Sequence, residues 1–215
     1  MSTEMKIAGR AIESPFTELA AYGLKHDGTV ARYDLAGASE TMTLGSDDVA
    51  RTRIIKSRIS RAQSDWFVDR STSAPWEDVP SAANLADADP EDDGGLYAAA
   101  NALYEHFRSA APTMVADGKI HKVLHLKRPG LVPILDSRLR RKYSTRAVQA
   151  AHRHPQLGAR RLYWAAIRED LIDEGNMAAL EEARGELSAH VDPRVQAMAR
   201  LTDLRLLDAV AWRAG

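Results

Sequence analysis

Gly118 to Tyr143, GKIHKVLHLKRPGLVPILDSRLRRKY, holds the residues of this chain best placed to do chemistry. Its one carboxylate, Asp136, stands among lysines and arginines. A carboxylate so placed can stabilise developing positive charge or orient a water. It can equally serve a helix start as a dipole-complementing acid, or pair with Arg138 or Arg140. From Gly118 to Arg168 the chain carries 13 Lys/Arg against Asp136 alone, leaving 16 basic and 29 acidic residues elsewhere. A net charge of −1 therefore hides a strongly positive middle between negative flanks. Such asymmetry points to an anionic partner, since cations with backbone N–H groups at helix starts are what phosphate requires.

Other side chains offer less. His121 and His125 lie four apart on one helical face and can begin a metal site, with Asp136 or His106 as a third ligand. The metalloprotease glutamate between them is missing, and one core-edge plus one exposed histidine explains the pair as well. No metal and no cofactor are expected. His152 and His154 fall in a loop. The absence of cysteine excludes disulfides, thiolate metal sites and cysteine nucleophiles. There is no phosphate-binding glycine loop, dinucleotide fingerprint or nucleophile elbow.

Helices must position these groups, for Ala, Leu, Arg and Glu abound and β-branched alternation is scarce. An all-α fold, a multi-helix bundle of about nine helices, is expected. Residues 1–45 would form an N-terminal helix-and-loop segment, and 46–215 a single helical domain with an acidic loop at 71–95. Ser14-Pro15 should open a helix to about Lys25, followed by an extended or looped stretch to Gly45. Ser46 should cap a long helix to Phe67. The 71–95 loop has seven acids and no base; it is either a solvated connector or a flap on the basic middle. Further helices are expected over about 96–107, 113–126, 133–143 with Pro133 beginning it, 145–152, 156–174 and 178–189. Gly175-Asn176 should end the penultimate one before 178. A last helix from Asp192-Pro193, apolar around much of its circumference, should be central. Between them, Pro129 and Pro133 should fix a turn with Leu131, Ile134 and Leu135 buried beneath. No run of 18 apolar residues predicts a membrane span, and the N-terminal residues lack a secretory apolar region, so a cytoplasmic protein is expected.

Lys122 to Ser137 resembles a segment K-x-L-x-x-K-R-P-x-L-x-P-x-x-D-S of an uncharacterised actinobacterial family. Members also tend to end in R-x-L-D-x-x-x-W, here Arg205 to Trp212. The likeness covers about Asp47 to the C-terminus and brings no activity with it. More distantly, the same segment is similar to the helix–turn–helix and Pro-x-x-Asp of helix-hairpin-helix DNA glycosylases, although their hairpin signature is replaced by Val115 to Lys119. That resemblance implies a glycosylase-like central and C-terminal part, with Asp136 assisting base release and Lys122 or Lys119 near a Schiff-base lysine position. The function expected is nucleic-acid binding, of DNA or RNA, extending to base excision. Lys119, Lys122, Lys127, Arg128, Arg138, Arg140, Arg141 and Lys142 would contact phosphates. The alternative is a non-catalytic interaction or structural module whose basic middle pairs with acidic segments. The oligomeric state is left open.

Overall fold

Eight consecutive residues, Leu204 to Ala211, are all buried in the last helix, and the other elements are arranged around it. The computed structural model describes residues 4–37 and 43–213, and among them the chain is mostly helical. Two strands, β1 (Met5–Ile7) and β2 (Arg10–Ile12), form an antiparallel hairpin. Twelve α-helices follow: α1 (Pro15–Lys25), α2 (Asp27–Thr29), α3 (Ser46–Arg51), α4 (Arg61–Ser71), α5 (Leu96–Ser109), α6 (Asp117–Lys127), α7 (Ser137–Lys142), α8 (Ser144–Arg153), α9 (Tyr163–Leu171), α10 (Glu174–Ala189), α11 (Pro193–Gln196) and α12 (Asp203–Arg213). The final helix is thus central, as its circumferential apolarity predicts, and it packs on α1, α7, α9 and α10. Each fully buried leucine of α12 contributes about 1.5–3 kcal/mol of transfer free energy.

The N-terminal segment does not stand apart. Met5, Ile7, Ile12, Leu19, Tyr22 and Val30 share one core cluster with residues of the later helices. The hairpin, unforeseen in the sequence, turns through Ala8 and Gly9 at φ 52° and 80°, the left-handed pair of a two-residue turn. It is tied to the far end of the chain. The Ala8 N–H donates to Asp170 Oδ2 at 2.6 Å, and the Asn176 amide brackets both backbone groups of Lys6. The Ser14 hydroxyl accepts from the Thr17 N–H, capping α1 as expected. Val30 to Asp34, expected to be looped, instead form a π-helical turn. Thr41 and its neighbours, within the expected loop, lie outside the described residues.

Two long helices of the sequence reading are broken. The stretch from Ser46 ends its α-helix at Arg51, tightens to a 3-10 turn over Thr52–Ile55 and reverses at Lys56, whose φ is 59°. The Thr52 hydroxyl donates back to Val49 O and the Ser57 N–H reaches Thr52 O, closing the helix off. Its cap is Gly45, whose N–H donates to Asp48 Oδ2; Ser46 is already inside. The final stretch breaks at Leu201, because Thr202 offers a better use of its hydroxyl. Thr202 Oγ1 accepts from Arg205 N–H and donates to Pro129 O at 3.0 Å. Asp173 caps α10 by accepting from Asn176 N–H, so Gly175 and Asn176 begin that helix rather than ending the one before. Likewise α9 starts only at Tyr163, after Gly158 takes φ 64°.

The turn after α6 is ordered, with Leu131, Ile134 and Leu135 buried beneath it. Pro133 precedes the next helix without starting it: Asp136 is the N-cap of α7. The acidic 72–95 segment is no solvated connector throughout. Trp76, Val79 and Leu85 are in the core, Arg168 reaches Asp89, and His154 lies 3.5 Å from Glu91.

Both histidines of α6 are buried, contrary to the expectation that one is exposed. His121 Nδ1 is 2.8 Å from Asp117 O, and its Nε2 accepts from the Trp164 indole N–H. This fixes a neutral tautomer. His125 Nδ1 pairs with Val132 O at 2.6 Å and its ring stacks on Tyr33. No group of metal ligands assembles among the described residues.

Burial lowers both histidines from 6.5 to about 4. A depressed folded-state value means the unfolded chain takes up the proton first as pH falls, so stability is lost from about 6.5 downward. Urea unfolding between pH 5 and pH 6 should therefore show His121→Gln with a shallower pH slope than wild type, by about 1.4 kcal/mol per pH unit. An unchanged slope would show the ring to be protonated in the fold. A second expectation concerns Gly23, where a Cβ would meet Arg194 O and Met198 Cγ at 2.9 Å. Despite the better helix propensity of alanine, Gly23→Ala should cost about 1–3 kcal/mol by overpacking α1 against α11, measured by thermal melting.

Candidate functional site

The segment after α6 is positioned by two cations that face inward. Lys127 Nζ lies 3.0 Å from Asp48 Oδ2, both side chains buried, joining α6 to α3. Arg128 donates through Nε to Val79 O at 2.6 Å and through Nη2 to Trp76 O, and lies over the Trp76 ring. Expected to contact phosphate, both are instead 2–3% exposed and used inside the fold. A basic dipeptide after a helix looks like a surface feature in sequence; here the chain buries it against carbonyls and one carboxylate.

From there the backbone runs to α7, pinned by Ile134 N–H donating to Asp208 Oδ2 at 2.8 Å. Asp136 Oδ1 accepts from the N–H groups of Arg138 and Leu139. The carboxylate is therefore the cap of α7, the structural alternative allowed by the sequence. Leu135 and Asp136, adjacent in the chain, line two different depressions.

On the Leu135 side runs a groove of about 750 Å³ between α5, the start of α6, α7, α8 and the 158–163 loop. Tyr97, Tyr104, Tyr163 and Trp164 line it, with Arg108, Arg140, Arg160 and Arg161; Arg141 joins where it continues past Ser137 and Ser144. Arg140 pairs with Asp117 at 2.8 Å and lies over the Tyr163 ring. Burial raises the Asp117 carboxyl, but Tyr104 and the Arg140 charge outweigh that and hold it below the usual range. Arg141, Arg160 and Arg161 are exposed, with no carboxylate partner among the described residues.

On the Asp136 side lies a smaller pocket of about 220 Å³, lined by Tyr22, His26, Ile54, Ile55, Lys56, Lys122, Ile134, Leu139, Arg205, Asp208 and Trp212 among others. Asp136 and Lys122, the expected catalytic pair, do come together here. Lys122 donates to Ile55 O at 2.9 Å, and burial lowers its pKa against the opposing charge of Asp136. Asp208 is fully buried, which pushes its carboxyl up to about 7 despite Arg205 and the Ile134 N–H. Arg205 is occupied by Asp34 at 2.8 Å and by the Tyr22 hydroxyl. Asp208 and His26 were not singled out as site residues. The signal for Asp208 is an acid set between Leu207 and Ala209, in the apolar part of a helix that is buried over eight consecutive residues.

The remaining expected phosphate contacts are dispersed. Lys119 is hydrogen-bonded to Gln63 Oε1, and Arg138 lies over Trp212. Lys142 is half-buried, and burial with neighbouring Arg10 and Arg138 lowers its pKa. Inside the basic middle, Lys127, Arg140, Arg146, Arg153 and Arg168 all pair with carboxylates of the same chain. Replacing Asp136 with Ala should cost about 0.5–2 kcal/mol by uncapping α7, whereas Asn should cost a few tenths at most, because it caps equally well; paired melting curves would decide between a cap and a purely electrostatic role.

No curated protein and no solved structure matches the chain. A family model does, over residues 17–215, a span that takes in the turn, the groove, the pocket and the 122–137 and 205–212 segments. The chain belongs to DUF6308, a family of unknown function.

Proposed function

We propose that the protein binds nucleic acid, with the arginine groove beside α7 holding a single strand. The observation that supports this is the trio Arg141, Arg160 and Arg161, exposed and without carboxylate partners among the described residues, on a groove lined by tyrosines. Most cations of the basic middle are consumed by internal acceptors, so three left facing one concavity are a specific residue of charge. Arginine presents a planar fork that matches phosphate oxygens. Tyr104 and Tyr163, each half-buried, offer ring surface for bases, and stacking with a tracked backbone is how single strands are held without sequence preference.

Asp136 lies on the other side of Leu135 from these arginines and serves α7 as its cap. The reading put forward is therefore binding, without the base-excision step that the glycosylase resemblance implies. The interaction-module alternative draws support from the internal pairs, Arg146 and Arg153 with Glu169 above all. The pairs made with Glu169 lie outside the groove, whereas Arg140 with Asp117 lies in it.

Fluorescence anisotropy with a labelled oligonucleotide should show log affinity falling linearly with log salt, by about 0.7 per phosphate contact on a single strand. With three arginine contacts the slope is about −2. Reversing Arg160 and Arg161 together to Glu should flatten that slope by about 1.4 and weaken all sequences alike. No binding by the wild type at low salt would remove the proposal.

A further inference from the structure

The small pocket beside Asp136 poses a separate question. Among the described residues, two of the buried polar side-chain atoms without a hydrogen-bond partner, Asp208 Oδ1 and His26 Nε2, belong to residues lining this one pocket. A buried acceptor left unpaired is destabilising, and such an atom in a native fold calls for an explanation, a bound water or ligand among them. Asp208 needs only Oδ2 for its structural task of holding the Ile134 N–H. Its Oδ1 is surplus to the fold.

The pocket walls limit what could use that oxygen. Ile54, Ile55, Ile134 and Leu139 are apolar, and Tyr22, His26 and Trp212 form an aromatic cluster with ring centroids 4.7–6.2 Å apart. At about 220 Å³ the space holds about seven waters and is smaller than the roughly 300 Å³ at which drug-sized sites begin. A single ring fits. Two lysines line the same space, and the Lys122 ammonium, which donates to Ile55 O, has further N–H groups to give. Lys122 is half-buried, and Lys56 is exposed, on the left-handed residue that ends the 3-10 turn. Both donate, so the ligand must also carry acceptors. Arg205 is taken by Asp34 and Tyr22 and adds none.

We propose that this pocket binds a cyclic amide or ureide, a small planar ring carrying N–H and C=O groups together. Asp208 Oδ1 accepts the ring N–H, a lysine ammonium donates to a ring carbonyl, and the isoleucines and Trp212 cover the faces. The site is independent of the nucleic-acid reading: a ring seated here touches none of Arg141, Arg160 or Arg161, and either can fail without the other.

Uracil and 1,3-dimethyluracil are suitable probes, because they share ring and carbonyls while only the first has N–H. The titration is read on the isoleucine methyl signals of the full chain at pH 8, where Asp208 is ionised. Uracil should shift Ile54, Ile55 and Ile134 and bind at least ten times more tightly than its dimethyl form. Asp208→Asn keeps an acceptor for the Ile134 N–H and turns an amide N–H₂ on the ligand, so it should erase that tenfold preference. Should Asp208→Asn not fold, Ile55→Trp fills the cavity with Asp208 intact and should abolish the shifts at Ile54 and Ile134. Equal binding of both probes, no shift at millimolar uracil, a preference retained in Asp208→Asn, or shifts retained in Ile55→Trp would each overturn the proposal.

Discussion

A cation withdrawn from water has to be met by acceptors wherever it goes, and Lys127 and Arg128 impose that condition on two separate parts of the chain. The lysine requires a carboxylate and draws in α3 through Asp48. The arginine requires carbonyls and draws in the 76–79 loop, taking Val79 O and Trp76 O. With both satisfied, the backbone between them and α7 has no freedom to slide, and Leu131 and Val132 are pressed into the core. Removing a partner from such a pair costs more than the pair contributes, since an uncompensated buried charge remains. The placement of Asp136, and hence of the groove and pocket on either side of it, follows from this anchoring.

Electrostatics explains why the charge split of the sequence is only partly visible on the surface. Acidic flanks fold back onto the basic middle at Asp48, Asp89, Glu169 and Asp170. Within the basic middle, much of the charge is thereby met internally, and Arg141, Arg160 and Arg161 are left exposed at the groove. The two expectations drawn from that asymmetry, an anionic partner and internal pairing, consequently describe different arginines of the same segment.

Much of the fold was legible because its signals are local. Ser14-Pro15, the helix expected over about 96–107, the burial under Pro129 and Pro133, and the all-round apolarity of α12 each depend on residues within a few turns of one another. What escaped depends on distant acceptors or on hydroxyls that compete with the helix. Thr52 and Thr202 each break a helix that periodicity alone would continue, and both do so by finding a carbonyl or N–H to bond. Lys127 and Arg128 were legible as charge but not as buried charge, since Asp48 and Val79 lie about 80 and 50 positions upstream. Asp136 and Lys122, both named from the sequence, line the same small pocket. Asp208 was not so named, because its meaning comes from the turn it holds across 74 residues.

The hairpin carries a consequence for the order of assembly. Its backbone groups are completed by Asp170 and Asn176, more than 160 residues downstream. During synthesis from the N-terminus, Met5 to Ile12 emerge long before those acceptors exist, and a two-stranded hairpin alone is marginal in water. The strands must therefore wait, unpaired and apolar on one face, until α9 and α10 have left the ribosome. The first structure written in the chain is among the last to be built, and closing so long a loop makes it a slow, late step of folding.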